Sequence, residues 1–349
     1  MSLDESAPAR PGRRTVEFGA FLTGLLIVAL SGRALTPWPD DFAVTPKVQY
    51  LREHPDDVNA VFIGRSHVFR SFIPELIDGQ LAAAGFDLRT FNLGGPGMSD
   101  MEIDHVLRTV LAIDGLDLDY VFIEAPDWIR FANANLSTNR AVNWHTLRQT
   151  GRVIRAVFRR YPSWIERADV GWPHVEHLWL RFTGYGQGKR IAASLLGWPE
   201  EQPLTHEDVE RERGYQAPDE VGTVEMEKRR AAFVRTEPNY RESVASISTG
   251  NREPHDLDDY DFAALEQQIE LIRAAGARPI YVVPPGMDPA AYAYALDEAG
   301  HLPDLMPFND PDLHPRLYRF GRRFDGHLNR LGAEDFSRLF ASKFLDLVN

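Results

Sequence analysis

The chain has 349 residues, with 38 basic and 51 acidic side chains for a net charge of −13, and no cysteine. Disulfides, thiolate catalysis and cysteine-ligated zinc are thereby excluded, and long-range attraction of the whole molecule to nucleic acid is disfavoured. Hydrophobic residues at 44% and charged residues at 26% are ordinary for a globular chain with enough length to bury a core.

Arg10, Arg13 and Arg14 precede an uncharged apolar run, Phe18 to Ser31. Extended to residues 16–35, the run reaches the length of a spanning helix, with Glu17 and Arg33 near its ends where long side chains reach water. It fits a transmembrane anchor, and it also fits the apolar core of a signal segment. The arginines before it and Asp40 and Asp41 after it predict residues 1–15 in the cytoplasm and the rest outside, as a single-pass protein facing the periplasm or cell surface.

Four short β-rich runs follow: Ala60 to Gly64, Leu88 to Leu93, Tyr120 to Glu124 and Pro279 to Val283. Their near-continuous hydrophobicity suits parallel strands buried on both faces. Helical patterns at Ile73 to Ala84, Glu102 to Ile113 and Phe262 to Ala275 alternate with them, and a closing helix is expected from Asp335 to Leu345. Such alternation predicts a three-layer α/β/α domain over 45–349, with ligands at the carboxyl ends of the strands.

Two stretches interrupt the pattern. Residues 129–198 read as a basic, tryptophan-rich, mostly helical insertion: Arg130 to Arg190 holds eleven basic residues against three acids. It suits either a cap packed on the sheet domain or a surface for membrane, polyanion or saccharide. Residues 199–255 turn polar and acidic and are expected to form a mobile loop.

Candidate chemistry gathers in three places. Gly64-Arg65-Ser66 ends the first strand, where a glycine permits a tight turn that exposes the serine, a nucleophile if a base reaches it. His67 is adjacent, but neighbouring side chains diverge at such a turn, so it is not expected to be that base. Asn92-Leu93-Gly94-Gly95-Pro96-Gly97 ends the second strand, where glycines let backbone amides approach a developing oxyanion. Asp325-Gly326-His327 precedes the closing helix, and such a carboxylate can orient an imidazole for general-base work. Elsewhere, His174 and His177 at i, i+3 lack an obvious third metal ligand, and Asp256, Asp258, Asp259 and Asp261 lack the glycine-centred spacing of a calcium loop. No phosphate-binding glycine motif occurs, and no cofactor or metal is expected.

The order of these blocks, strongest in IGRSHVFRSFIPELID (Ile63 to Asp78), FNLGGPGMS and DGHLNRLGAEDFS, resembles the SGNH, or GDSL-like, hydrolase superfamily over residues 58–128 and 256–349. The closest style is its membrane-anchored, extracytoplasmic branch of envelope acyl-transfer and D-alanine-transfer proteins. The resemblance implies a flavodoxin-like α/β/α fold, Ser66 as nucleophile, His327 as base, Asp325 as orienting acid, and the amides of Ser66 and Gly97 as oxyanion donors. It implies a serine esterase or O-acyltransferase acting on an acyl ester, with a cell-envelope polysaccharide as substrate. A transferase would also need a membrane partner to deliver the acyl group. Three positions depart from the family pattern. Arg65 stands where Asp is common, Glu124 to Asp127 offers carboxylates where an Asn side chain is usual, and one residue instead of two separates Asp325 from His327. Those departures also suit a non-catalytic envelope binding or assembly protein that keeps the fold.

Overall fold

A computed structural model describes residues 11–35, 41, 43–126, 135–138, 140–184, 196, 204–258 and 261–349, apart from side chains at 11–14, 28–30 and 32–35. Two compact units divide the chain, one of Met1–Asp40 with Thr138–Glu200, the other of Asp41–Ser137 with Glu201–Asn349.

In chain order the helices and strands are α1 (Pro11–Leu35), α2 (Thr45–Glu53), β1 (Ala60–Ile63), α3 (Ser66–Ser71), α4 (Pro74–Ala83), β2 (Thr90–Asn92), α5 (Asp100–Val110) and β3 (Tyr120–Glu124). There follow α6 (Ala141–Trp144), α7 (Leu147–Arg160), α8 (Trp164–Thr183), α9 (His206–Glu212), α10 (Val224–Val234), α11 (Glu237–Asn251) and α12 (Phe262–Ala274). The chain closes with β4 (Arg278–Val283), α13 (Ala291–Glu298), β5 (Leu305–Pro307), β6 (Arg323–Phe324), β7 (His327–Leu328) and α14 (Arg330–Val348).

The larger unit is a mixed α/β fold around a five-stranded sheet in the order β2-β1-β3-β4-β5, every pair parallel. Side chains alternate across it. Ala60, Phe62, Phe122, Ile280 and Val282 meet Ile77 and Leu81 of α4 and Phe336, Phe340 and Phe344 of α14. On the opposite face Tyr281 reaches Gln268 of α12 at 3.0 Å. Edge-on ring pairs such as Phe62–Phe340, centroids 5.3 Å apart, lock α14 to the sheet.

Where local pattern was strong, expectation and structure agree to within a few residues at β1 to β4, α4, α5 and α12. β5 was not expected, being three residues long and ending on Pro307. The closing helix starts five residues early, because Asn329 caps it by accepting from the Gly332 amide.

The loop expected over 199–255 is replaced, among its described residues 204–255, by helices. These are α9, α10 and α11, started by side-chain caps from Thr205 and Thr223 on the first two. Buried Tyr240 and Ile247 hold α11 in the core, whereas α10 buries no residue at all. Polar composition marked the exposure of this stretch and hid its helicity.

In the smaller unit, α7 and α8 pack together and α8 ends on Gly184 in the left-handed conformation. Trp144 is buried, but Trp164 and Trp172 are 75% and 66% exposed; Trp128 and Trp198 lie outside the described residues. The expected anchor at 16–35 falls on α1, 25 residues long. Among the described residues, no helix is long and apolar enough to cross a membrane.

Candidate functional site

Three strand ends converge on Ser66. β1 stops at Ile63, and the chain turns through Gly64 and Arg65 into α3, whose first residue is Ser66. Gly64 is required by close packing: a Cβ there would lie 2.4 Å from Val68 Cγ2 and 2.7 Å from the Glu124 side chain. That approach lets the Arg65 amide donate to Glu124 Oε2 at 2.5 Å. The Arg65 guanidinium then bonds to Asp100 and lies 3.3 Å from Glu124 Oε1. Burial works against its charge, but Asp100 and Glu124 outweigh burial and hold the guanidinium protonated beyond its ordinary range. The two departures at Arg65 and Glu124 are therefore partners: a cation after the glycine neutralises the acid at the end of β3.

Asn92 ties the second strand to this turn. Its side-chain amide donates to the Val68 and Phe72 carbonyls at 3.0 and 2.9 Å, and its oxygen accepts from the Gly94 amide at 2.9 Å. A Cβ on Gly94 would sit 2.4 Å from the Phe69 backbone nitrogen. The Gly95 amide donates to the Gly64 carbonyl at 3.0 Å, binding the two loops together. Gly97 has φ +59° and is exposed, and its amide has no acceptor among the described residues. Ser66 opens a helix, so its amide has no acceptor within that helix. Beneath the glycine loop, the fully buried Lys47 donates to the Gly94 carbonyl at 2.7 Å and sits 4.0 Å from the Phe69 ring centre. Burial and then the Arg70 charge drive this amine well below its usual pKa, against Asp41.

His327 comes from the far end of the sequence. β6 and β7 form an antiparallel hairpin that pairs Phe324 with His327 and leaves Asp325 and Gly326 as its turn. His327 Nε2 lies 2.8 Å from Ser66 Oγ, 261 residues away in sequence. The His67 ring stacks on His327 with centroids 4.9 Å apart. Burial, followed by the charges of His67, Arg70, Arg229 and Arg323, pushes the His327 pKa well down. A neutral imidazole on a hydroxyl is in the right state to accept its proton.

Asp325 does not take the position expected of it. It occupies the hairpin tip at φ +58°, where its side chain projects toward α10 and pairs with Arg229, both side chains 43% exposed. The single glycine between Asp325 and His327 makes the acid a turn residue, which points it off the tip instead of behind the imidazole.

Two depressions stand out among the described residues. One of about 280 Å³ is lined by Arg65, His67, Glu124, Gly286, Asp288 and Tyr292, beside the Ser66 turn at the carboxyl ends of the strands. A larger one of about 800 Å³ is lined by Tyr120 and Arg278, the first residues of β3 and β4, at the opposite end of the sheet from Ser66. The smaller depression adjoins the Ser66 turn through Arg65 and His67 and has the better claim to function.

The other candidates resolve into structure. His174 Nδ1 lies 3.1 Å from His145 Nε2, and His177 Nδ1 bonds to the Pro173 carbonyl at 2.7 Å. Among the described residues no group of three His, Cys, Asp or Glu could hold a metal. Asp256 accepts from the Asp258 amide in a local turn, and Asp259 lies outside the described residues. Sequence reading missed Lys47, Arg70, Arg229 and the partners of Arg65. Lys47, Arg229 and the partners of Arg65 act across long sequence separations that no local spacing reveals; Arg70 stands four residues after Ser66 on α3, but its hydrogen bonds go to Gln216, 146 residues away.

No family model, no curated protein and no solved structure matches this chain.

Proposed function

We propose that this chain is an exported serine hydrolase or O-acyltransferase of the SGNH type, its parallel sheet being the centre of a flavodoxin-like three-layer α/β/α domain. The strand order supports the fold reading, since it is that of flavodoxin-like sheets. One observation carries the chemistry: the 2.8 Å contact between Ser66 Oγ and His327 Nε2.

Ser66 Oγ attacks the acyl carbonyl while His327 Nε2 takes its proton. The amides of Ser66 and Gly97 receive the oxyanion, and collapse releases the leaving alkoxide, which His327 protonates. Water or an acceptor hydroxyl, deprotonated by the same imidazole, then attacks the acyl-serine and restores the enzyme. Among the described residues no carboxylate sits behind the imidazole, so the imidazolium formed in each step lacks a counter-charge from them. Disabling that carboxylate in a serine protease lowers kcat about 10⁴-fold, so slow turnover is expected. An acyl ester of a cell-envelope polysaccharide is the proposed substrate. A membrane partner would supply acyl groups to a transferase, and no nucleic acid is involved. Export and a membrane anchor at 16–35 rest on Arg10, Arg13 and Arg14 before the apolar run, whose Phe18, Phe21 and Ile27 are exposed on α1.

One observation favours a second reading, a non-catalytic envelope binding or assembly module: Asp325 sits on Arg229 and not on His327. Labelling by a fluorophosphonate probe separates the two. Modification that disappears in Ser66→Ala supports the enzyme and excludes the module; wild-type protein that resists the probe sinks the enzyme.

A further inference from the structure

The surroundings of His327 are unusually cationic. Arg70 lies four residues after Ser66 on α3, a spacing that puts both on one helix face. Its Nη1 donates to the Gln216 carbonyl and side-chain oxygens, both at 2.9 Å, and its guanidinium stacks over the Phe69 ring at 4.3 Å. It has no carboxylate partner among the described residues. Arg323, almost wholly buried, likewise has no carboxylate partner among the described residues; it donates to the carbonyls of Leu317, Pro285 and Gly326 and stacks on Tyr318. Arg229 reaches the same neighbourhood from α10, where among the described residues the exposed Asp325 is its one carboxylate partner. The three guanidinium charges all act on the His327 ring, and Arg229 acts on Arg70 as well. Burial, together with Arg229 and against Tyr215, pushes Arg70 down to about 10.

Holding like charges together in partial burial with a single exposed acid among the described residues is costly, and a ligand anion reverses that cost. The opposite side of the Ser66 turn has a different balance, with Asp100, Glu124 and Asp288 against Arg65 alone, so the cationic character is confined to the His327 side.

We infer that the acyl-bearing substrate is itself an anion, a saccharide ester with a carboxylate or phosphate near the acylated hydroxyl, and that Arg70 and Arg229 hold this group beside Ser66 and His327. Guanidinium forks match both anions. Arg229 exchanges Asp325 for the substrate's anion, an exchange that is easy because solvent-exposed ion pairs contribute little to stability. The inference rests on the proposed acyl chemistry at Ser66 and adds the class of ester.

The test compares acetate release from an O-acetylated methyl glucuronide, an O-acetylated methyl glucoside 6-phosphate and the matching neutral O-acetylated methyl glucoside. For the wild-type protein at low salt, kcat/KM for at least one anionic ester should exceed that for the neutral one by about tenfold, the value of one good charge-assisted hydrogen bond. The two anionic arms distinguish carboxylate from phosphate. Arg229→Gln, on an exposed helix, and Arg70→Gln should each bring the ratio near one, and added salt should erode it. Equal rates for all three esters, or a preference that survives both substitutions, would overturn the inference while fluorophosphonate labelling of Ser66 still upheld the acyl chemistry. If Ser66 is not labelled, NMR titration with unacylated methyl glucuronide and methyl glucoside 6-phosphate decides the anion site alone. Binding lost in Arg229→Gln supports it, and no binding of either to the wild type refutes it.

Discussion

Replacing Arg65 by methionine tests whether the charge after the glycine is structural support for the Ser66 turn. The side chain touches two acids, Asp100 and Glu124, whose side chains are 5% and 11% exposed, while its own is 24% exposed. Removing the shared cation leaves two carboxylates in a nearly dry place. Breaking a buried pair costs about 3–5 kcal/mol. The quarter exposure of Arg65 and the backbone hydrogen bond from its amide to Glu124, which methionine keeps, place the expected loss near the lower end, at about 3 kcal/mol. Guanidinium unfolding followed by circular dichroism at neutral pH measures it. The loss should shrink on acidification, because protons discharge the orphaned acids in the folded variant; the sign follows from a raised affinity for protons in the folded state. Adding Glu124→Gln to Arg65→Met should recover part of the loss. A cost under about 1 kcal/mol, or one that grows toward acid pH, would refute the claim that Arg65 is there to neutralise Asp100 and Glu124.

Three further outcomes follow from the geometry. Asp325→Asn should alter the rate of Ser66 labelling by less than about threefold, since the carboxylate lies on Arg229; a drop approaching 10⁴ would mean that it does orient the imidazole. Gly94→Ala should destabilise the larger unit by about 2–3 kcal/mol in the same unfolding assay, since its Cβ would meet the Phe69 backbone, which cannot rotate away. Burial lowers His145 to about 3 and His174 to about 4, with neighbouring histidines adding to the effect. Because both lie below the unfolded value of about 6.5, the stability they confer is present above that pH and is lost as pH falls toward 4, by about 3 kcal/mol for His174 alone. The fluorescence of buried Trp144, whose ring centroid is 3.7 Å from that of His145, reports the change, and His174→Gln should flatten it.

Much of the site was legible because its pieces are local. Gly64-Arg65-Ser66 and Asn92 to Gly97 each follow a hydrophobic run, and a strand followed by glycines places its loop at the carboxyl end of a parallel sheet whatever the rest of the chain does. The helices of residues 206–251 were hidden because weakly amphipathic, polar helices resemble loops in composition. The role of Asp325 was misjudged for a different reason. Its nearness to His327 along the chain is real, but Asp325 sits in the hairpin turn and His327 on the strand after it, so the two side chains diverge.

From its own residues the chain dictated a cysteine-free α/β domain with parallel strands, a serine in the turn after the first strand, a histidine before the closing helix, and an apolar segment near the N-terminus. Those properties depend on side-chain type and on periods of two or a few residues, which any stretch carries with it. Only the tertiary structure decided that His327 lies against Ser66 across 261 residues, that Arg65 spans Asp100 and Glu124, and that Arg229 claims the acid meant for the imidazole. Such pairings join segments far apart in sequence, and packing of α14 and the hairpin against the sheet sets the distances that turn residue types into chemistry.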